Sequence, residues 1–116
     1  MQVYNQNKNC LAEKVILANT FFSRLRGLMG KSMLEQGCCL LLKPCCSVHT
    51  LFMRFSIDVL FLDVNGKIVH HATMPPFRFS PWVREAKIVL EFPAGTLADT
   101  DTSKGDWITF SQRSDL

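Results

Sequence analysis

The stretch His49–Gly66, read as His-Thr-Leu-Phe-Met-Arg-Phe-Ser-Ile-Asp-Val-Leu-Phe-Leu-Asp-Val-Asn-Gly, constrains this chain more than any other. At the two-residue period of a β-strand, Leu51, Met53, Phe55, Ile57, Val59 and Phe61 share one face. Thr50, Arg54, Ser56 and Asp58 share the other with Phe52, Leu60 and Leu62. A basic and an acidic side chain are thereby assigned to a surface apolar enough to be an interior or a pocket wall. Charge is costly there unless it is paired or used.

A length of 116 residues lies in the usual range of one domain, so residues 1–116 are read as a single domain. With 47% hydrophobic residues and nine Phe, a core can form without metal or disulfide staples. The net charge of +3 is spread along the chain, which argues against nucleic acid as a partner. The N-terminal residues are polar and resemble no signal peptide. The apolar runs fall far short of the ~20 residues that cross a bilayer, so no membrane segment is expected. Five Cys, an odd count with two adjacent pairs, suit reduced thiols; the expected location is the cytoplasm.

Residues 1–9 read as a frayed or edge segment. Lys14–Ala18 reads as a strand, and Asn19 or Thr20 as the N-cap of a short helix. In that helix Phe21, Phe22, Leu25, Leu28 and Met29 recur at helical spacing, with Gly30 as its stop. Cys38–Lys43, the His49–Leu62 run, Lys67–Thr73, Ala86–Phe92 and Trp107–Phe110 follow as strands. Asp63-Val-Asn-Gly66 is a hairpin turn, and three prolines keep Met74–Trp82 irregular. The expected fold class is mainly β (α+β): a compact antiparallel sandwich or partly open barrel of six to seven short strands, with one short helix near the N-terminus.

Four constellations could carry chemistry. Arg54 and Asp58 lie ~13 Å apart on a straight strand and need a bend near Phe55-Ser56 to meet. Met, they make either a structural pair or a clamp for a guest carboxylate or phosphate. Cys45, Cys46 and His49 could give a thiolate activated by an imidazole, or simply packed thiols. Cys38, Cys39, Cys45, Cys46, His49, His70 and His71 hold zinc-type donors, but adjacent residues on a strand point to opposite faces, so neither a metal nor another cofactor is expected. The loop Pro75–Arg84 carries Phe77, Phe79 and Trp82 with Arg78 and Arg84, and reads as a core plug or a rigid recognition loop.

Arg26-Gly-Leu-Met-Gly30, Val48–Asp63, Asn65-Gly66, Val89-Leu-Glu-Phe-Pro-Ala-Gly95 and Lys104-Gly-Asp106 occur in the order seen in the domain-of-unknown-function family numbered 192. The chain resembles that family over roughly residues 12 to 110. Phe52, Met53, Arg54, Ile57 and Asp58 match its central pattern; Pro44, Cys45, His49 and Thr50 resemble one subgroup. The doubled thiols look peculiar to this chain. The resemblance implies a small, mainly β domain without an established activity, and it carries over no catalytic residue. It also implies that many relatives are exported behind a signal sequence or lipoprotein anchor, neither of which is seen here.

The leading expectation is a non-enzymatic binding or accessory domain for an unidentified small molecule or protein. Its ligand-binding residues would be Thr50, Arg54, Asp58, Arg78, Trp82 and Arg84. The alternative is a small thiol-dependent hydrolase or transferase using Cys45, His49 and Asp58. A third reading makes Arg54 and Asp58 purely architectural.

Overall fold

A computed structural model describes residues 1–112. Its strands are β1 (Gln2–Tyr4), β2 (Cys10–Ala12), β3 (Lys14–Ala18), β4 (Cys38–Leu42), β5 (Ile57–Leu62), β6 (Ile68–Met74), β7 (Ile88–Pro93) and β8 (Thr109–Ser111). Two short helices, α1 (Phe21–Arg26) and α2 (Thr96–Asp99), complete the regular structure. The strands form a three-stranded sheet, β2-β1-β8, and a five-stranded sheet, β3-β4-β7-β5-β6. The mainly β class expected from sequence is what the chain adopts, in finer detail eight strands and two helices.

The inner strands of the large sheet, β4, β7 and β5, are buried on both faces. On β5, Ile57, Val59 and Phe61 join one core with Leu28, Leu34, Val48 and Met53 from the segments that cover that face. Leu60 and Leu62 point the other way and pack with Val3 and Leu11 of the small sheet and with Ile108, just before β8. A strand covered on both sides has no use for a polar face, which is why β5 and β7 read as near-continuous apolar runs.

Three local expectations are corrected. The first residues are not frayed: β1 is the middle strand of the small sheet, and Val3 is fully buried. The pairing is not antiparallel throughout, because β3 and β4 run parallel. Parallel neighbours need a long crossover, and residues 19–37, carrying α1, supply it. The strand expected from His49 begins only at Ile57. Its two neighbours run out there: Ile57 pairs with Met74, just before Pro75-Pro76, and with Pro93. Proline has no N–H to extend the ladder. Residues 49–56 turn instead, with Phe52 at φ +60.

Helix α1 starts as expected. The Ser23 amide donates to Thr20 Oγ1 (3.1 Å), and the Thr20 amide to Ser23 Oγ (3.0 Å), a reciprocal cap. It stops earlier than expected, at Gly27 (φ +49), whose amide donates to the Ser23 carbonyl. So short a helix buries none of its own residues; Leu28, just past the stop, reaches the core, whereas Phe21, Phe22 and Leu25 stay exposed.

Candidate functional site

Helix α1, the 44–49 segment, the loop carrying Phe79 and Trp82, and β7 enclose a groove of about 440 Å³. At its floor is Glu91. It lies on the same side of β7 as Val89, beside Leu40 of β4 and Val59 of β5 in the ladder. The side chain is only 2% exposed. Its Oε1 atom is buried and has no hydrogen-bond partner among the described residues. Burial alone pushes this carboxyl up to about 8, so it is mostly protonated at neutral pH. Gly27 closes over it: a Cβ there would stand 4.0 Å from Oε1.

The rim is aromatic. Phe21 from α1, Phe79 and Trp82 line the groove, and all three are more than 60% exposed. The loop that brings the last two is stitched to residues 46–50. Thr50 donates its amide to the Arg78 carbonyl (2.8 Å) and accepts the Phe77 amide on its own carbonyl (2.9 Å). Its hydroxyl donates to the Pro75 carbonyl (2.7 Å) and accepts the Arg78 amide (2.8 Å). The Val48 amide donates to Ser80 Oγ (2.8 Å), and the Val83 amide to the Cys46 carbonyl (2.8 Å). Thr50 is therefore a buried staple that positions the loop.

Of the residues singled out from sequence, Cys45, Cys46, His49, Phe79 and Trp82 line this groove, while Thr50, Arg54, Asp58, Arg78 and Arg84 do not. Arg54, Arg78 and Arg84 are exposed. Arg54 and Asp58 do not meet: the bend at residues 49–56 carries the arginine outward, and Asp58 is 1% exposed. The Asp58 carboxylate accepts the Thr73 hydroxyl on Oδ1 (2.7 Å) and the amides of Gly95 and Leu97 on Oδ2 (both 3.0 Å). Those amides open α2, so Asp58 anchors that helix from across the sheet. Asp58 is held by Thr73 and by backbone amides, not by Arg54.

Cys45 and His49 share the groove without forming a nucleophile–base pair. The Leu51 amide donates to His49 Nδ1 (3.1 Å), which leaves Nε2 to donate to the Leu25 carbonyl at 2.7 Å. The Cys45 thiol donates to the Ser47 carbonyl (3.1 Å). Burial, above all, pushes the Cys45 thiol up, and the nearby Glu91 and Cys46 add to that. A raised thiol is protonated and inert near neutrality. With the thiol peptides resolved by mass spectrometry, Cys45 should alkylate slowly at about pH 7.5 and still be accelerating at about pH 9. A rate that levels off below about pH 8 would restore the thiolate reading. Among the described residues, no three His, Cys, Asp or Glu side chains cluster closely enough to hold a metal ion.

With the geometry in place, comparison with known proteins gives a consistent answer. Residues 2–110 match the family DUF192, described as "Uncharacterized ACR". The chain belongs to the DUF192 family. Similar proteins include the UPF0127 protein PH1112 of Pyrococcus horikoshii, 32% identical over 116 residues, with 92% of this chain and 99% of that protein covered. The UPF0127 protein TK1120 of Thermococcus kodakarensis is 30% identical over 102 residues, covering 84% of this chain. The chain spans about 65% of the length of that relative. A crystal structure of a protein of unknown function from Novosphingobium aromaticivorans shares the fold, with TM-score 0.80 at 18% identity over 94% of this chain and 82% of that one. This DUF192 chain is thus a member of an uncharacterised family, and the fold likeness carries no activity with it. Among the described residues, no helix is long and apolar enough to cross a membrane.

Sequence reasoning missed Glu91, Phe21 and Arg24, the last of which also lines the groove. For Glu91 the signal was present: a lone acid inside the apolar run Val89-Leu-Glu-Phe92 poses the same question as Asp58.

Proposed function

We propose that this DUF192 chain is a binding domain that takes a small, largely apolar molecule in the groove above Glu91. One observation carries the reading: an acid 2% exposed, with a buried oxygen lacking a partner among the described residues, lines that groove. Buried polar groups in folded proteins nearly always have partners, and an orphan facing a concavity is explained by a guest that completes it. The volume of about 440 Å³ suits a small molecule. Exposed aromatic side chains at the rim would provide its apolar contacts. The reading moves the expected ligand site away from Arg54 and Asp58, and keeps Trp82 as a contact. Five free thiols support a reducing, cytoplasmic setting.

The protein purified from its own host and sprayed under native conditions should carry an additional mass of small-molecule size. Titrated with a fragment library, the Trp107→Phe variant leaves Trp82 as the sole fluorescent indole. Trp82→Ala should weaken the best fragment by about tenfold, roughly 1.4 kcal/mol, while stability barely changes because the ring is 75% exposed. A bare mass together with a flat titration would refute the reading.

A further inference from the structure

Resting on the reading of the groove as a ligand site, we propose that its ligand is a small cationic amine, whose ammonium pairs with the Glu91 carboxylate while its apolar body lies against Phe21, Phe79 and Trp82.

Among the described residues, the polar groups around Glu91 are committed elsewhere. From α1 comes Arg24, whose Nη1 donates to the Asn19 carbonyl at 3.0 Å, at the start of the helix. The 44–49 segment contributes Cys45, Cys46 and His49. The Cys45 thiol is given to Ser47, and both His49 nitrogens are engaged by backbone. β4 and β5 place Leu40 and Val59 beside Glu91, with Cys38 two residues along from Leu40. Cys45 feels both Glu91 and Arg24, whereas the carboxyl's own displacement is caused by burial alone. Among the described residues, Glu91 thus has an acceptor without a donor and a potential negative charge without a paired cation.

Alternative guests use this arrangement less well. An anion meets a floor that can itself become negative. A neutral amide can bond to the protonated acid, but draws little on the rim. A cation is attracted to aromatic faces and gains further once it reaches a desolvated carboxylate. Arg24, which also lines the groove, opposes it, with one guanidinium nitrogen held by the Asn19 carbonyl.

The step balances as a proton release. Protonated Glu91 and the incoming ammonium give the carboxylate–ammonium pair plus one proton delivered to solvent. No covalent bond other than the carboxylic O–H breaks. Below about pH 8, affinity should therefore rise close to tenfold per pH unit.

Calorimetry at about pH 6.5, in two buffers of different ionisation enthalpy, with 2-phenylethylamine, 2-phenylethanol and 3-phenylpropanoate as probes, tests this. The amine should bind at least about tenfold tighter than either other probe and release close to one proton per complex. Glu91→Gln should abolish the preference while the alcohol still binds. The proton count on the unaltered chain decides the matter even if that variant fails to fold. If the alcohol or the acid binds as well as the amine, the cation assignment is overturned and the groove reading stands. If no probe binds, or Trp82→Ala leaves binding untouched, both are overturned.

Discussion

Replacing Asp58 by Ala should lower stability by about 3–4 kcal/mol, a large share of what a domain of this size possesses. Three donors now converge on its carboxylate: the Thr73 hydroxyl and the Gly95 and Leu97 amides. The methyl side chain would strand all three in a place that is 1% exposed in the native protein. A hydrogen bond to a charged group contributes about 1.5–3 kcal/mol, and orphaned buried donors add their desolvation cost. Asp58→Asn should cost less, about 2 kcal/mol, because one acceptor oxygen survives while an amide N–H₂ meets other donors. Urea denaturation measures both, the midpoint falling with little change in slope. α2 should suffer first, since its leading amides depend on Asp58 rather than on a cap within the helix: Gly95, at its N-cap, offers no side chain. A loss below about 1 kcal/mol for Asp58→Ala would show that the anchor is unimportant.

Why Asp58 could be read as buried, yet not given its partner, separates local from non-local information. The hairpin after β5 is local. Asp63 Oδ1 accepts the amides of Asn65 and Lys67, both at 2.9 Å, and Gly66 takes φ +87, all within a few residues. The cap of α1 is local in the same way, needing only Thr20 and Ser23. The partner of Asp58 lies 37–39 residues away, in the turn after β7. No spacing rule reaches that far. The bend that parts Arg54 from Asp58 likewise depends on where Pro75 and Pro93 end the neighbouring strands.

Glu91 shows the same limit from the other side. Lys87, Val89 and Glu91 share one face of the strand, and two charges among three residues would suit the wet side of an ordinary edge strand. That reading fails because β7 is the middle strand of five. There β4 pairs along one side of β7 and β5 along the other. With Gly27 over it and only 2% of it exposed, Glu91 is not hydrated as a surface acid would be.

That burial should be visible in the pH dependence of folding, and Glu91→Gln should remove it. The carboxyl titrates at about 8 in the folded chain against 4.5 unperturbed. Between those values the folded state holds a proton that the unfolded state has released. Stability is then greatest below about pH 4.5 as far as this group is concerned, declines through the interval, and levels off above about pH 8. The slope approaches 1.4 kcal/mol per pH unit, so by pH 7 the accumulated loss is of order 3 kcal/mol. Gln keeps the shape and has no proton to lose. Subtracting its stability profile from that of the unaltered chain isolates Glu91 from the other acids. The difference should widen from about pH 4.5 to about pH 8, with the variant the more stable at the alkaline end. Parallel profiles across that range would mean that water or a partner already satisfies the carboxyl, and the groove would lose the acid that gives it a function. A bound cation should act in the opposite sense, stabilising the unaltered chain most where the acid is ionised and leaving Glu91→Gln unaffected.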